Sequence, residues 1–144
     1  MPDPADRVPY RYSYFDHDAD VGIVGRGVTL EESYEAVAAA MFALMTELPA
    51  VRWVRTIALS FEEADPELAL VRWLNLLLAA AREHGLVFSM FALERDHVVW
   101  RGSASGEPWR AGMERGTEVK GATLTMLSVQ QTAGGWEARC VVDV

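Results

Sequence analysis

Residues 10–34 read YRYSYFDHDADVGIVGRGVTLEESY. Aromatic and β-branched residues at 10–15 and 21–26 predict two strands, with the acidic run DHDAD between them or closing the first. Thr29 and Glu32 then form a capping box, in which each side chain satisfies an amide left unpaired at a helix start. Leu30, Tyr34, Val37, Met41, Leu44, Met45 and Leu48 recur at helical spacing until Pro49 stops the run. The pattern predicts a helix with one buried face that leaves Glu31, Glu35 and Glu47 wet.

Working outward, VRWVRTIALSF (51–61) reads as a strand. A second helix has Asp65 as N-cap, Pro66 at its first position and Gly85 just past its end. Leu68, Val71, Leu74, Leu77, Leu78 and Ala81 give it a wide apolar stripe. Strands are expected at about 86–95, 97–104 and 117–130, with a turn at TAGG (132–135) and a last strand, WEARCVVDV. Along that strand Trp136, Ala138, Cys140, Val142 and Val144 share a core face, while Glu137, Arg139, Val141 and Asp143 share the other. Most links are too short for parallel crossovers. The expected class is therefore α+β, one domain over 10–144 with two main helices packed on a mainly antiparallel sheet. Residues 1–9, with prolines at 2, 4 and 9, read as a loose lead-in.

The composition of the 144 residues is globular, with 51% hydrophobic and 24% charged residues. No apolar run approaches the roughly 20 residues that span a bilayer. The first residues lack a signal peptide's pattern, so a cytoplasmic protein without a membrane partner is expected. Cys140 is the sole cysteine, which excludes an internal disulfide and a thiolate metal cage. A formal net charge of −8 argues against direct binding to RNA or DNA, where basic residues must neutralise phosphates.

The acidic run gathers Asp16, His17, Asp18 and Asp20 in five positions. A calcium loop of the EF-hand type needs glycine at its sixth position and a bidentate carboxylate at its twelfth. Val21 and Gly27 stand there, so that reading fails. A phosphatase-like DxD needs further distant carboxylates for magnesium and lives on a parallel sheet with alternating helices, an architecture the chain does not offer. A polar turn explains one or two aspartates. Four ionisable groups are harder to explain, because the like charges of the three aspartates repel one another, a repulsion that a bound cation or a basic partner relieves.

FDHDADVGI resembles the FDHTADVGI signature of the archease family. The resemblance continues through GVTLEESYEAVAAAMFALMT (27–46), ELALVRWLNLLL (67–78), GLVFSMF (85–91), GTEVKGATLTML (116–127) and the closing VVDV. It implies SHS2-like β-α-β-β modules and a role as an accessory protein of RtcB-type RNA ligases in tRNA splicing and RNA repair. There it would promote ligase guanylylation and repeated turnover, touching RNA only through the ligase. The family pattern places a divalent cation, Ca²⁺ or Mg²⁺, on Asp20, Asp143 and the final residue, Val144. It links Lys120 to activity, while Asp16 reads as a supporting or capping group. His17 reads either as a group orienting a carboxylate or as a packed turn residue.

This chain departs from the pattern in four places. Asp18 stands for the usual Thr, Gly121 for Ala and Thr125 for a frequent His, and the segment around Gly116 lacks the family's customary His. The rival reading is a metal-dependent phosphate-ester hydrolase using Asp20 and Asp143. It requires a nucleophile or activated water, a base and a leaving-group acid. The sequence offers cation ligands without a second catalytic constellation, so a protein without catalytic residues of its own is expected.

Overall fold

The computed structural model describes residues 10–144; the expected lead-in over 1–9 lies outside the described residues. The elements are β1 (Arg11–His17), β2 (Asp20–Gly27), α1 (Leu30–Ala43), β3 (Arg55–Glu62), α2 (Pro66–His84), β4 (Leu86–Asp96), β5 (Val99–Pro108), β6 (Gly121–Ala122), β7 (Ser128–Thr132) and β8 (Gly135–Asp143). They form two antiparallel sheets. One has the order β1-β2-β8-β6 with β7 also paired to β8, and the other has the order β3-β5-β4.

Both helices start and stop where local chemistry dictates. Thr29 Oγ1 accepts the Glu32 amide at 3.1 Å while Glu32 reaches back to the Thr29 amide, closing the expected box. Asp65 accepts the amides of Glu67 and Leu68, Pro66 follows, and Gly85 ends α2 in the left-handed conformation at φ 64°. Glycine adopts that φ without the Cβ clash other residues meet.

α1 differs from expectation in two respects. It ends at Ala43, and Leu48–Ala50 forms a separate short 3-10 turn. Ser33, Tyr34 and every residue of Ala36–Phe42 are buried, so α1 is covered on all sides instead of one. It lies between the sheets, against β2 and β8 on one side and β4 on the other. The alanines permit close approach: a Cβ on Gly25 would stand 2.4 Å from the Val37 amide nitrogen. Glu35, expected in solvent, is half-buried and its carboxylate accepts the Leu93 amide of β4 at 2.8 Å.

A stack of rings, Tyr34 on Trp100 at 5.5 Å and Trp100 on Phe61 at 5.9 Å, ties α1 to the second sheet. Trp73 of α2 is fully buried and donates its indole N–H to the Tyr34 carbonyl at 3.2 Å. Burying side chains of this size stabilises by about 1.5–3 kcal/mol each.

The single strand expected at 117–130 is in fact two. Gly121 pairs with Asp143 and Ser128 with Arg139, so seven steps on one strand face four on β8. The excess leaves the ladder as a loop between β6 and β7. β8 keeps the expected alternation, with Ala138, Cys140 and Val142 fully buried and Asp143 exposed. Val141, on the outer face, is buried as well.

Candidate metal centre

The pairing of β1 with β2 runs to the last rung, His17 opposite Asp20. Only Asp18 and Ala19 are left to turn the chain, a tighter hairpin than the sequence suggested. Asp18 takes φ 52°, a conformation that aspartate tolerates better than most residues, and points its side chain into solvent. Side chains alternate across a strand, so His17 and Asp20 share one face. Asp16, paired with Val21, falls on the opposite face and is not brought into their group.

β2 also pairs with β8, Val21 opposite Val142, and the next step of that register sets Asp20 beside Asp143. The Val144 amide donates to Asp20 Oδ1 at 3.3 Å, closing a contact between residues 124 positions apart. On the far side of β8 the Lys120 amide donates to the Asp143 carbonyl at 2.8 Å. The structure thus gathers Asp20, Asp143, Val144 and Lys120 at one end of the five-stranded sheet, with His17 on the neighbouring rung.

Two residues that the sequence reading passed over hold this end together. Arg82 of α2 donates to the Val119 and Lys120 carbonyls at 2.8 and 3.0 Å. Asn75 donates to the Ala122 carbonyl and accepts its amide, standing in for a neighbouring strand. The signal was present, since Asn75 interrupts the apolar run WLNLLL. Arg139 was also missed as a contact: it lies two outer-face positions before Asp143, its guanidinium 5.9 Å from the Phe15 ring centre and its Nε without a hydrogen-bond partner.

Among the described residues neither Asp20 nor Asp143 has an ion-pair partner. His17 Nδ1 approaches Asp18 at 4.0 Å instead. Two carboxylates and a main-chain oxygen are hard donors of the kind Ca²⁺ and Mg²⁺ prefer. Among the described residues no group of three or more His, Cys, Asp or Glu side chains is placed to hold a metal. Asp20 and Asp143 would supply a hard cation with two carboxylates, the remaining positions falling to main-chain oxygen, water or a partner. The Cys140 thiol lies fully buried on the face of β8 opposite Asp143, and burial pushes its pKa up to about 12.

Two cavities lie elsewhere. One of about 450 Å³ is lined by Phe42, Leu78, Arg82, Trp109, Arg115 and Val119, and the other by residues that include Tyr10, Glu35, Trp53 and Phe91. Neither is lined by Asp20, Asp143 or Val144. Among the described residues no helix is long and apolar enough to cross a membrane.

Fold and site together define a class: a small α+β protein that displays hard oxygen donors at the end of a central antiparallel strand. The family model for the archease protein family matches residues 12–144. Protein archease of Sulfolobus acidocaldarius is 32% identical over 137 residues, covering 93% of this chain and 99% of the relative. Protein archease of Pyrococcus furiosus is 32% identical over 140 residues, covering 93% and 99%. The solution structure of Methanobacterium thermoautotrophicum protein 1598 superposes with a TM-score of 0.79 at 29% identity, covering 92% of this chain and 98% of that one. A Thermotoga maritima crystal structure, described as an archease and possible chaperone, shares the fold with a TM-score of 0.64 at 16% identity, over 96% and 97% of the two chains. This chain belongs to the archease family.

Proposed function

We propose that this protein activates an RtcB-type RNA ligase, promoting guanylylation of the ligase and its repeated turnover in tRNA splicing and RNA repair. It does so with a divalent cation, Ca²⁺ or Mg²⁺, anchored by Asp20, Asp143 and a main-chain oxygen of Val144. The observation that carries the reading is the Val144–Asp20 hydrogen bond, which draws the β1–β2 hairpin onto the end of β8 in a chain of this family. A bound cation would supply charge neutralisation and a fixed point for further oxygen ligands. Asp20 and Asp143 hold position, and Lys120, fixed through its own amide and carbonyl, is an exposed residue at the same end of the sheet. The description of the Thermotoga maritima structure as an archease and possible chaperone agrees with an accessory protein. The acidic surface around Asp18, Asp20 and Asp143 favours a protein partner over direct contact with RNA.

The test mixes the protein with its host's RtcB-type ligase and GTP and follows ligase–GMP formation. The native chain is expected to raise both the rate and the number of turnovers. Asp143→Ala, or a flexible tail appended after Val144, is expected to reduce that stimulation. Equal guanylylation with and without the native chain would refute the activator reading.

A further inference from the structure

We propose that the loop of residues 123–127 is a docking knob, whose Leu124 and Met126 side chains enter an apolar recess rimmed by basic residues on the partner ligase; this rests on the activator reading above. The loop is well fixed. The Thr123 amide and hydroxyl both donate to the Val141 carbonyl, the Val141 amide donates to the Thr125 carbonyl, and the Leu127 amide donates to Leu124. Leu127 packs on the core. Yet this rigid frame turns two large apolar side chains outward, Leu124 at 61% exposure and Met126 at 45%.

Met126 also pays for its position. Three non-glycine residues have positive φ among those described: Asp18, His97 and Met126 at 55°. Aspartate and histidine are enriched in that region, whereas methionine gains nothing there from its own backbone. Strain and exposure in one rigid loop are what a binding element retains at the expense of stability.

Position identifies the occupant. The loop hangs on Val141, two residues before Asp143, and begins three residues after Lys120. Asp18, Asp20 and Asp143 outnumber Lys120 at this end of the sheet and leave it acidic on balance. Phosphate backbones are repelled there, and Leu and Met offer bases neither stacking nor hydrogen bonds. A protein surface with an apolar recess inside a ring of Lys and Arg matches both features.

The test is the double variant Leu124→Ser, Met126→Asn, in which asparagine tolerates the backbone at 126 better than methionine does. Melting temperature is expected unchanged or higher, and the calcium dissociation constant by calorimetry within about twofold of native. The concentration giving half-maximal stimulation of ligase–GMP formation should rise at least about tenfold, as for lost anchor residues. Stimulation at the native concentration would overturn the proposal while leaving the activator reading in place. A parallel loss of calcium binding would overturn it too, by showing that the loop only shapes the cation site. So would loss of binding to single-stranded RNA without ligase, which would make RNA the partner. A native chain that stimulates no ligase removes the activator reading and this docking role together.

Discussion

Asp143→Asn separates a ligand from a structural residue, because its effect on stability should change sign with calcium. Without metal, Asp20 and Asp143 are like charges on adjacent strands, an arrangement that destabilises by a few tenths of a kcal/mol up to about 1 kcal/mol. Asparagine removes that repulsion and leaves untouched the Val144–Asp20 hydrogen bond and the Lys120 amide contact to the main chain of residue 143. The variant in EDTA should therefore melt at the native temperature or about 1–3 °C above it. With calcium at a hundred times its dissociation constant, the native protein gains about 2.7 kcal/mol. For 144 residues the unfolding entropy is about 0.3 kcal/mol/K, which makes that gain roughly 9 °C. A unit charge about 2.4 Å from a divalent ion attracts it by about 3.5 kcal/mol even at the dielectric of water. Screening and desolvation leave part of this, so a tenfold to hundredfold affinity loss is expected. At the same calcium concentration the shift would then fall to about 5 °C or about 1 °C. Five tryptophans, with Trp73 and Trp100 fully buried, make intrinsic fluorescence a suitable readout of melting. A variant that melts lower in EDTA while keeping the native calcium shift would show Asp143 to be structural and would sink the proposed site.

Glu35→Gln tests the half-buried carboxyl between α1 and β4. Burial, the largest influence, raises its pKa from 4.5 to about 7, the Leu93 amide opposes this, and Glu32 and Glu31 add to it. A carboxyl raised on folding favours the native state at low pH and loses that contribution as pH climbs from about 4.5 through 7. Glutamine still accepts the Leu93 amide, so the variant should match the native melting temperature near pH 4.5 and exceed it by about 2–4 °C at pH 8; a difference that does not vary with pH would refute this. Gly25→Ala should be far more costly than any surface change, since its Cβ would meet backbone atoms of Ser33 and Val37 at 2.5 and 2.4 Å. A loss of about 3 kcal/mol is expected from denaturant titration, and a loss under 1 kcal/mol would show that α1 can move away from β2.

The parts of the fold that could be read from sequence are those fixed by near neighbours. Thr29, Glu32, Asp65, Pro66 and Gly85 act within a turn of themselves, so both helix starts and the end of α2 fall where the residues announce them. α1 misled because amphipathicity was read as a single buried face, although AVAAAMFA carries no charge on any side. Its second cover, β4, comes from more than 40 residues downstream and leaves no local mark. The split of 117–130 into β6, loop and β7 depends on register against β8, which no property of that segment encodes. The site divides in the same way. Its acidic residues stood out by composition, but joining Asp20 to Asp143 required the family resemblance, since only long-range pairing brings them together. Register also removed Asp16, which spacing alone had grouped with its neighbours. Gly121, a departure from the family pattern, is sterically neutral, because a Cβ there would meet only Asn75 Oδ1 at 3.6 Å.

β8 shows why a site at a strand end can tolerate change without endangering the fold. Its inner face carries Ala138, Cys140 and Val142, all fully buried against α1 and its surroundings. Its outer face ends in Asp143, exposed and free of ion pairs among the described residues. Strand geometry enforces that division, since successive side chains point to opposite faces. The core residues fix the path of the backbone, and that path sets where Asp143 and Val144 lie relative to Asp20. Both neighbours of β8 are needed: β2 delivers Asp20, and β6, held from outside by Asn75 and Arg82, delivers Lys120. Weakening α2's grip on residues 119–122 should therefore displace Lys120 while Asp20 and Asp143 keep their places and the 123–127 loop stays tied to Val141. In the proposed function the cation ligands lean on the β2 flank of β8 and Lys120 on the β6 flank, so substitutions on each flank should separate their effects.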